Sequence, residues 1–183
     1  FLREAWITAQ LDHPNVIPVH ALSSERGQPQ LVMKLVDGVA WRSLLVDDAL
    51  ATAYGMRDRI AFHLEIFGRI CRAVHFAHAR GIVHLDLKPT NVMVGHHGEV
   101  YLFDWGIAAS FRRDTEPWLP RTVDIDTVGG TPAYLSPEQA GSFGSLIGPR
   151  TDVFLLGALI HFIVLGRPPH RGESLEVVLN AAY

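Results

Sequence analysis

The stretch from Val153 to Gly166 constrains the fold most: fourteen residues, nearly all apolar, directly after Asp152 and interrupted only by His161. A bilayer span needs about twenty such residues, so this run is too short to cross a membrane and reads as a helix buried in a protein core. A buried helix requires other elements to cover it on every side. The chain has 183 residues, 48% of them hydrophobic. That is enough for one domain with a sizeable core and too apolar for disorder. Sixteen Lys and Arg against nineteen Asp and Glu leave a net charge of −3, so nothing overall suggests a nucleic-acid-binding surface. Cys71 stands alone, which excludes an internal disulfide and any paired-cysteine zinc or redox motif.

The pattern predicts further elements. Residues 1 to 11 read as a helix with Leu2, Ala5, Trp6 and Ala9 inward, stopped by His13-Pro14-Asn15. Residues 16 to 22 and 30 to 36 lean towards strand, and Ser23 to Pro29 between them has turn chemistry, giving a hairpin. A short helix is expected near Trp41 to Leu45. Asp58 to Arg80 is the clearest helix. Ile60, Leu64, Phe67, Cys71, Val74 and His78 mark its inward stripe, and Gly81 sits just past its end. Cys71 thus reads as a small core residue. Residues 83 to 94 look irregular, a turn falls at 95 to 98, and a strand follows at 100 to 103. Residues 107 to 130 show little periodicity, the mark of a functional or mobile loop. Thr151 is the expected N-cap of the hydrophobic helix, and residues 173 to 183 form a last amphipathic one.

The chemistry concentrates in His84-Leu85-Asp86-Leu87-Lys88-Pro89-Thr90-Asn91 and, a little later, Asp104-Trp105-Gly106. Asp86, Asn91 and Asp104 offer hard oxygens, a set that suits Mg²⁺, which takes few protein ligands. Lys88, two residues from Asp86, is a point charge suited to a phosphate. Phosphoryl transfer needs those parts and a positioned acceptor hydroxyl. Ten histidines bring no HExxH motif and no cysteine partner, so His75, His78, His96 and His97 read as packing or exposed residues.

These segments resemble the protein-kinase catalytic loop H-R-D-L-x-x-x-N and its D-F-G motif, with Leu85 for Arg and Trp105 for Phe. Other motifs follow in kinase order. Gly130 to Glu138 resembles the segment ending in A-P-E. Asp152 to Gly157 resembles the start of the central buried helix. His13-Pro14-Asn15 resembles the turn after helix αC, and Leu31 to Gly38 the strand and hinge between the lobes. Lys88 and the phrase Gly-Thr-Pro-Ala-Tyr-Leu-Ser-Pro-Glu-Gln are similar to bacterial, eukaryotic-like serine/threonine kinases.

The resemblance implies an α+β, kinase-like two-lobe fold. It would be truncated, running from αC to about αG, with a partial small lobe at 1–36, a mainly helical lobe at 37–183 and a hinge near 34–38. It implies ATP and Mg²⁺ as cofactors, a protein Ser/Thr hydroxyl as acceptor, no nucleic-acid partner and no membrane span in this stretch. It also implies a cytoplasmic location, with any anchor elsewhere in the parent. Asp86 would take the proton of the acceptor hydroxyl, Lys88 would touch the transferred phosphate, and Thr131 would brace both. Asn91 and Asp104 would hold the metal. Glu4 would pair with a nucleotide-gripping lysine, Met33 would be the gatekeeper, Lys34, Leu35 and Val36 the adenine hinge, and Met93 the floor under the base. His84 and Trp105 would pack between the lobes, Asp152 would hold the catalytic-loop backbone, and Glu138 would pair with an arginine from later helices. No Gly-rich phosphate loop occurs, so the expectation is a fragment inactive by itself. Leu85 stands where an arginine usually meets an activation-loop phosphate, and Thr115, Thr122 and Thr127 read as solvated loop threonines rather than phosphosites. The alternative is a pseudokinase that binds nucleotide or scaffolds without transfer.

Overall fold

The structure is a computed structural model that describes residues 2–25 and 28–183. It is α+β. Helix α1 (Leu2–Gln10) is followed by an antiparallel pair, β1 (Val19–Glu25) and β2 (Gln28–Met33). Strand β3 (Gly38–Ala40) leads into two short helices, α2 (Trp41–Val46) and α3 (Asp48–Ala53), and then the long α4 (Arg59–Ala79). β5 (Val92–Gly95) pairs antiparallel with both β3 and β6 (Val100–Leu102), while β4 (Ile82–Val83) pairs with β7 (Ala109–Ser110). α5 (Pro137–Ala140), α6 (Pro149–Leu165) and α7 (Leu175–Ala182) complete the chain.

The main core is a contiguous apolar cluster. Trp41, Ile70, Leu102, Trp105, Leu159 and Phe162 lie fully inside it. α4 packs on α6, and the apolar run that opens the argument supplies Leu155, Ala158, Leu159, Phe162 and Ile163 to this interior. Gly81 adopts a left-handed φ of +82° after α4, as a C′ residue should. Asp58 caps the start of α4 by accepting the amide of Ala61.

Several expectations shift. In α1 the buried residues are Ala5, Ile7 and Thr8, whereas Leu2, Trp6 and Ala9 are exposed. The helix is rolled because its Ile7 side docks on the core with Leu11. In α4 the inward face is His63, Ile66, Ile70, Ala73, Val74 and Ala77. Ile60 and Leu64 are exposed, and Phe67, Cys71 and His78 are half-buried. The true stripe lies about one residue round the helix. It is carried partly by His63 and by alanines, which contribute little apolar signal. At the loop the first hairpin strand ends later, and the second starts earlier, than expected: Ser23 to Glu25, Gln28 and Pro29 pair in the ladder. The Arg26-Gly27 centre of that turn lies outside the described residues, as does Phe1. Residues 83 to 94 include an ordered strand, β5. α6 begins at Pro149, so Thr151 is not the cap but the third helical residue, whose hydroxyl accepts the amide of Gly148. Thr122 is not a solvated loop residue; it is buried at the start of a 3₁₀ turn, Thr122–Asp124.

Candidate active site

The loop after β4 is held from both sides. Asp152, fully buried on α6, accepts the amides of His84 (2.8 Å) and Leu85 (2.9 Å) and a hydrogen bond from His78 Nε2 (2.8 Å). Gln139 Nε2 donates to the Leu85 carbonyl (2.8 Å) and to the Gly129 carbonyl (3.2 Å). Both backbone polar groups of Leu85 are thereby fixed, which keeps this residue in the left-handed region at φ +69°. Such a φ is unfavourable for a leucine and persists where the surroundings over-determine it. His84 is buried. Its Nδ1 accepts the amide of Asp86 (3.2 Å), so its Nε2 carries the proton given to the Phe103 carbonyl (3.3 Å). Burial pushes its imidazole below the usual range.

These restraints present a compact polar network. Lys88 Nζ donates to Asp86 Oδ2 (2.6 Å) and to Thr131 Oγ1 (2.7 Å), and Thr131 Oγ1 donates to Asp86 Oδ1 (2.7 Å). Asn91 Nδ2 donates to the Asp86 carbonyl (3.0 Å) and more weakly to Oδ2 (3.3 Å). Four of the expected site residues thus share one network. Thr131 arrives from a distant part of the chain because Gly130 takes φ +111°, where an added Cβ would meet the Leu135 side chain at 2.9 Å and the Leu85 carbonyl at 3.1 Å.

Asp104 reaches the same region through strand register. Val92 pairs with Leu102, and the Phe103 amide donates to the Asn91 carbonyl (3.1 Å), so Asn91 and Asp104 lie at the same end of the β5–β6 ladder. Asp104 has a left-handed φ of +65°. Glu4, half-buried on α1, comes to it across Gly106: a Cβ at Gly106 would lie 3.2 Å from Asp104 Oδ1 and 3.9 Å from Glu4 Oε2. Burial first, and then the charge of Asp104, hold the Glu4 carboxyl above its ordinary value. Arg3 Nη2 donates to the Gly106 carbonyl (2.7 Å) and ties α1 to this turn. Among the described residues no hydrogen bond engages the Asp104 carboxylate, and the Asn91 amide spends its N–H groups on Asp86, which leaves Oδ1 as a free acceptor. An amide oxygen beside a carboxylate, with a second carboxylate close by, fits a hard divalent cation.

The remaining expected residues lie apart from that network. Met33 ends β2 and is partly exposed, and Leu35 is 92% exposed. The Lys34 amide donates to the Pro18 carbonyl (2.9 Å), and its Nζ donates to the Tyr101 hydroxyl (2.6 Å). Val36 is half-buried. Met93 sits in β5 between Ala40 and Tyr101. His84 and Trp105 are buried against each other with ring centroids 4.5 Å apart. Glu138 Oε1 accepts from the Thr151 hydroxyl (2.6 Å). Sequence reasoning misses Gln139, Arg3 and the His78 contact to Asp152. Gln139 has a readable signal, since Ser136-x-x-Gln139 is a capping box. Arg3 and His78 have none, because their partners are far along the chain.

Residues 1–181 match the family model of the protein kinase domain. This chain belongs to the protein kinase family. Among curated relatives, serine/threonine-protein kinase PknD of Protochlamydia amoebophila (strain UWE25) is 31% identical over 192 residues, covering 96% of this chain and 19% of the relative. PknD of Chlamydia felis is 33% identical, covering 95% and 20%. PknB of Mycolicibacterium smegmatis is 36% identical over 178 residues, covering 95% and 26%. The chain therefore spans about a fifth to a quarter of the length of these kinases. No described helix is long and apolar enough to cross a membrane.

Proposed function

We propose that this chain carries the catalytic core of a serine/threonine protein kinase, which moves the γ-phosphoryl group of ATP to a protein hydroxyl with Mg²⁺. The observation that carries this reading is the Asp86–Lys88–Thr131–Asn91 network, set beside Asp104 by the β5–β6 register. The acceptor oxygen forms a bond to phosphorus, the bond to the nucleoside-diphosphate oxygen breaks, and the hydroxyl proton passes to Asp86. An incoming hydroxyl can donate to Asp86 at the lone pair left free on Oδ1, or at Oδ2 by displacing Lys88. Once displaced, Lys88 is free to place its ammonium on the transferred phosphate, while Thr131 keeps Asp86 oriented. Asn91 Oδ1 and Asp104 would hold Mg²⁺, which neutralises phosphate oxygens when bound. Glu4 would serve as the acidic partner of a phosphate-gripping lysine.

Residues 34–38 act in this reading as the hinge between a small part, 1–36, and a larger part, 37–183, with Met33, Lys34, Leu35, Val36 and Met93 bordering the adenine. The kinase named in each similar relative agrees with the acceptor being serine or threonine. A second reading, a nucleotide-binding scaffold that does not transfer, draws on Leu85 in place of the usual arginine. The test is to incubate the full-length protein with ATP, Mg²⁺ and several acceptor proteins, and to quantify phosphoserine and phosphothreonine against ADP formed. Equal amounts of both products are expected. Tight nucleotide binding with no phosphoamino acid would establish the scaffold instead.

A further inference from the structure

Beneath the catalytic loop lies a second apolar cluster, separate from the main core: Val83, Leu85, Ala109 and Ile147, with Ile107 and Ile125 packed against it. It surrounds a cavity of about 250 Å³ walled by Leu85, Ile107, Ala109, Ile125 and Ile147. Its buried polar side chain, Gln139, is already paired, and the remaining polar side chains of the lining sit at the exposed rim. The Gln139 amide spends its N–H groups on the Leu85 and Gly129 carbonyls and its oxygen on the Ser136 amide. Asp124 is engaged by two hydrogen bonds from Arg121, and Arg3 donates to Gly106. The exposed members, Arg3, Asp124, Asp126 and Thr127, mark its mouth.

Water standing against aliphatic walls finds no hydrogen-bond partner there, so an apolar guest that displaces it gains dispersion contacts along those walls and the hydrophobic term. An apolar cavity of 150 Å³ accepts benzene, and by that scale this one accommodates about ten heavy atoms. A charged guest would find no unpaired polar group along these aliphatic walls and would lose its hydration. We propose that this cavity is a binding site for a small, uncharged, apolar ring compound of the size of indole. Because its walls come from the catalytic loop and from the 107–130 segment together, an occupant packs the two against each other. Leu85, next to Asp86, is the shared wall. Occupancy therefore favours the arrangement in which the Leu85 carbonyl and Gly129 are bridged by Gln139 and Thr131 meets Asp86. The binding claim stands by itself; its consequence for transfer rests on the kinase reading.

The experiment uses the full-length protein, saturated with a non-hydrolysable ATP analogue so that the nucleotide cleft is filled, and indole as the probe. Thermal unfolding is followed as indole is titrated. The expected result is a saturable rise of roughly 3 °C at ten times the Kd. That rise should be absent in Ile147→Phe, whose larger side chain fills the space. Ala109→Val, a smaller intrusion, serves if Ile147→Phe does not fold, and should weaken binding at least about fivefold. No saturable rise up to the solubility limit, or an unchanged response in the variants, would overturn the proposal. Phosphotransfer should increase with the same half-saturating indole concentration. A protein that binds indole with these variant effects yet shows no transfer upholds the site and contradicts the kinase reading alone.

Discussion

Asp152 shows how much a single residue carries. Its carboxylate is fully buried and accepts two consecutive backbone amides and the His78 ring. Asp152→Ala would leave the amides of His84 and Leu85 buried without acceptors. A buried unsatisfied donor costs about 1–3 kcal/mol, so urea unfolding should show a loss of about 2–4 kcal/mol, with the left-handed Leu85 released. His63 carries a different burden. It lies in the core and its Nδ1 accepts from Trp41 Nε1 (3.0 Å), while Nε2 has no partner among the described residues. Protonating Nδ1 would break the tryptophan bond and bury a cation. Burial, helped by the Arg59 charge, pushes the imidazole down to about 4. An unfolded histidine titrates near 6.5. Between those values the unfolded state takes up a proton that the folded state refuses, so stability is retained above about 6.5 and falls as pH drops towards 4. Unfolding measured from pH 7.5 to 4.5 should show this decline, on the order of 1–3 kcal/mol. His63→Phe should make it shallower, with buried His84, also held below its ordinary value, keeping the rest. An equal decline in the variant would assign the slope to other groups.

At the scale of elements, α4 depends on its ends. Asp58 accepts the Ala61 amide at 2.7 Å, and Asp58→Ala should cost about 1 kcal/mol in urea unfolding. No change would mean that water replaces the cap at no cost. The caps and the extent of α4 are legible in the sequence because they depend on neighbours three or four residues away. Its buried face is not. His63, Ala73 and Ala77 earn their places from what packs on them, while the more apolar Ile60 and Leu64 remain exposed. The same division runs through the site. Asp86, Lys88 and Asn91 can be picked out because their spacing within one loop carries the chemistry. The strand β5 that follows them reads as irregular, since a four-residue strand with Val92, Val94 and Gly95 buried and Met93 half-buried carries too short an alternation to read. Thr131 enters through resemblance alone, and only the turn at Gly130 explains how it reaches Asp86. Trp105 is recognisable by its neighbours Asp104 and Gly106. Its indole N–H, buried without a partner among the described residues, is visible only in the fold.

At the scale of the molecule, the site is an assembly of distant pieces. Asp86, Lys88 and Asn91 sit between α4 and β5, Asp104 follows β6, Thr131 precedes α5, and Glu4 comes from α1. The placement of Glu4 depends on α1 staying docked. Ile7 and Leu11 anchor it in the core, Arg3 joins it to Gly106, and Trp6 faces Trp118 at 6.4 Å. Ile7 is fully buried, so Ile7→Ala should cost about 2–4 kcal/mol. Hydrogen exchange should then accelerate in α1 more than in α4 or α6. Uniform acceleration would mean that α1 unfolds only with the whole molecule.

The measurement closest to the central claim is the rate of phosphoryl transfer by the full-length protein beside its Asp86→Asn variant, at saturating ATP and Mg²⁺, with nucleotide affinity measured on both. A positioned proton acceptor contributes about 10²–10⁴-fold. The variant, which preserves shape and most hydrogen bonds, should therefore lose kcat by about that factor while binding nucleotide as before. Equal rates in the two proteins would contradict the role of Asp86 and the account of the network built around it.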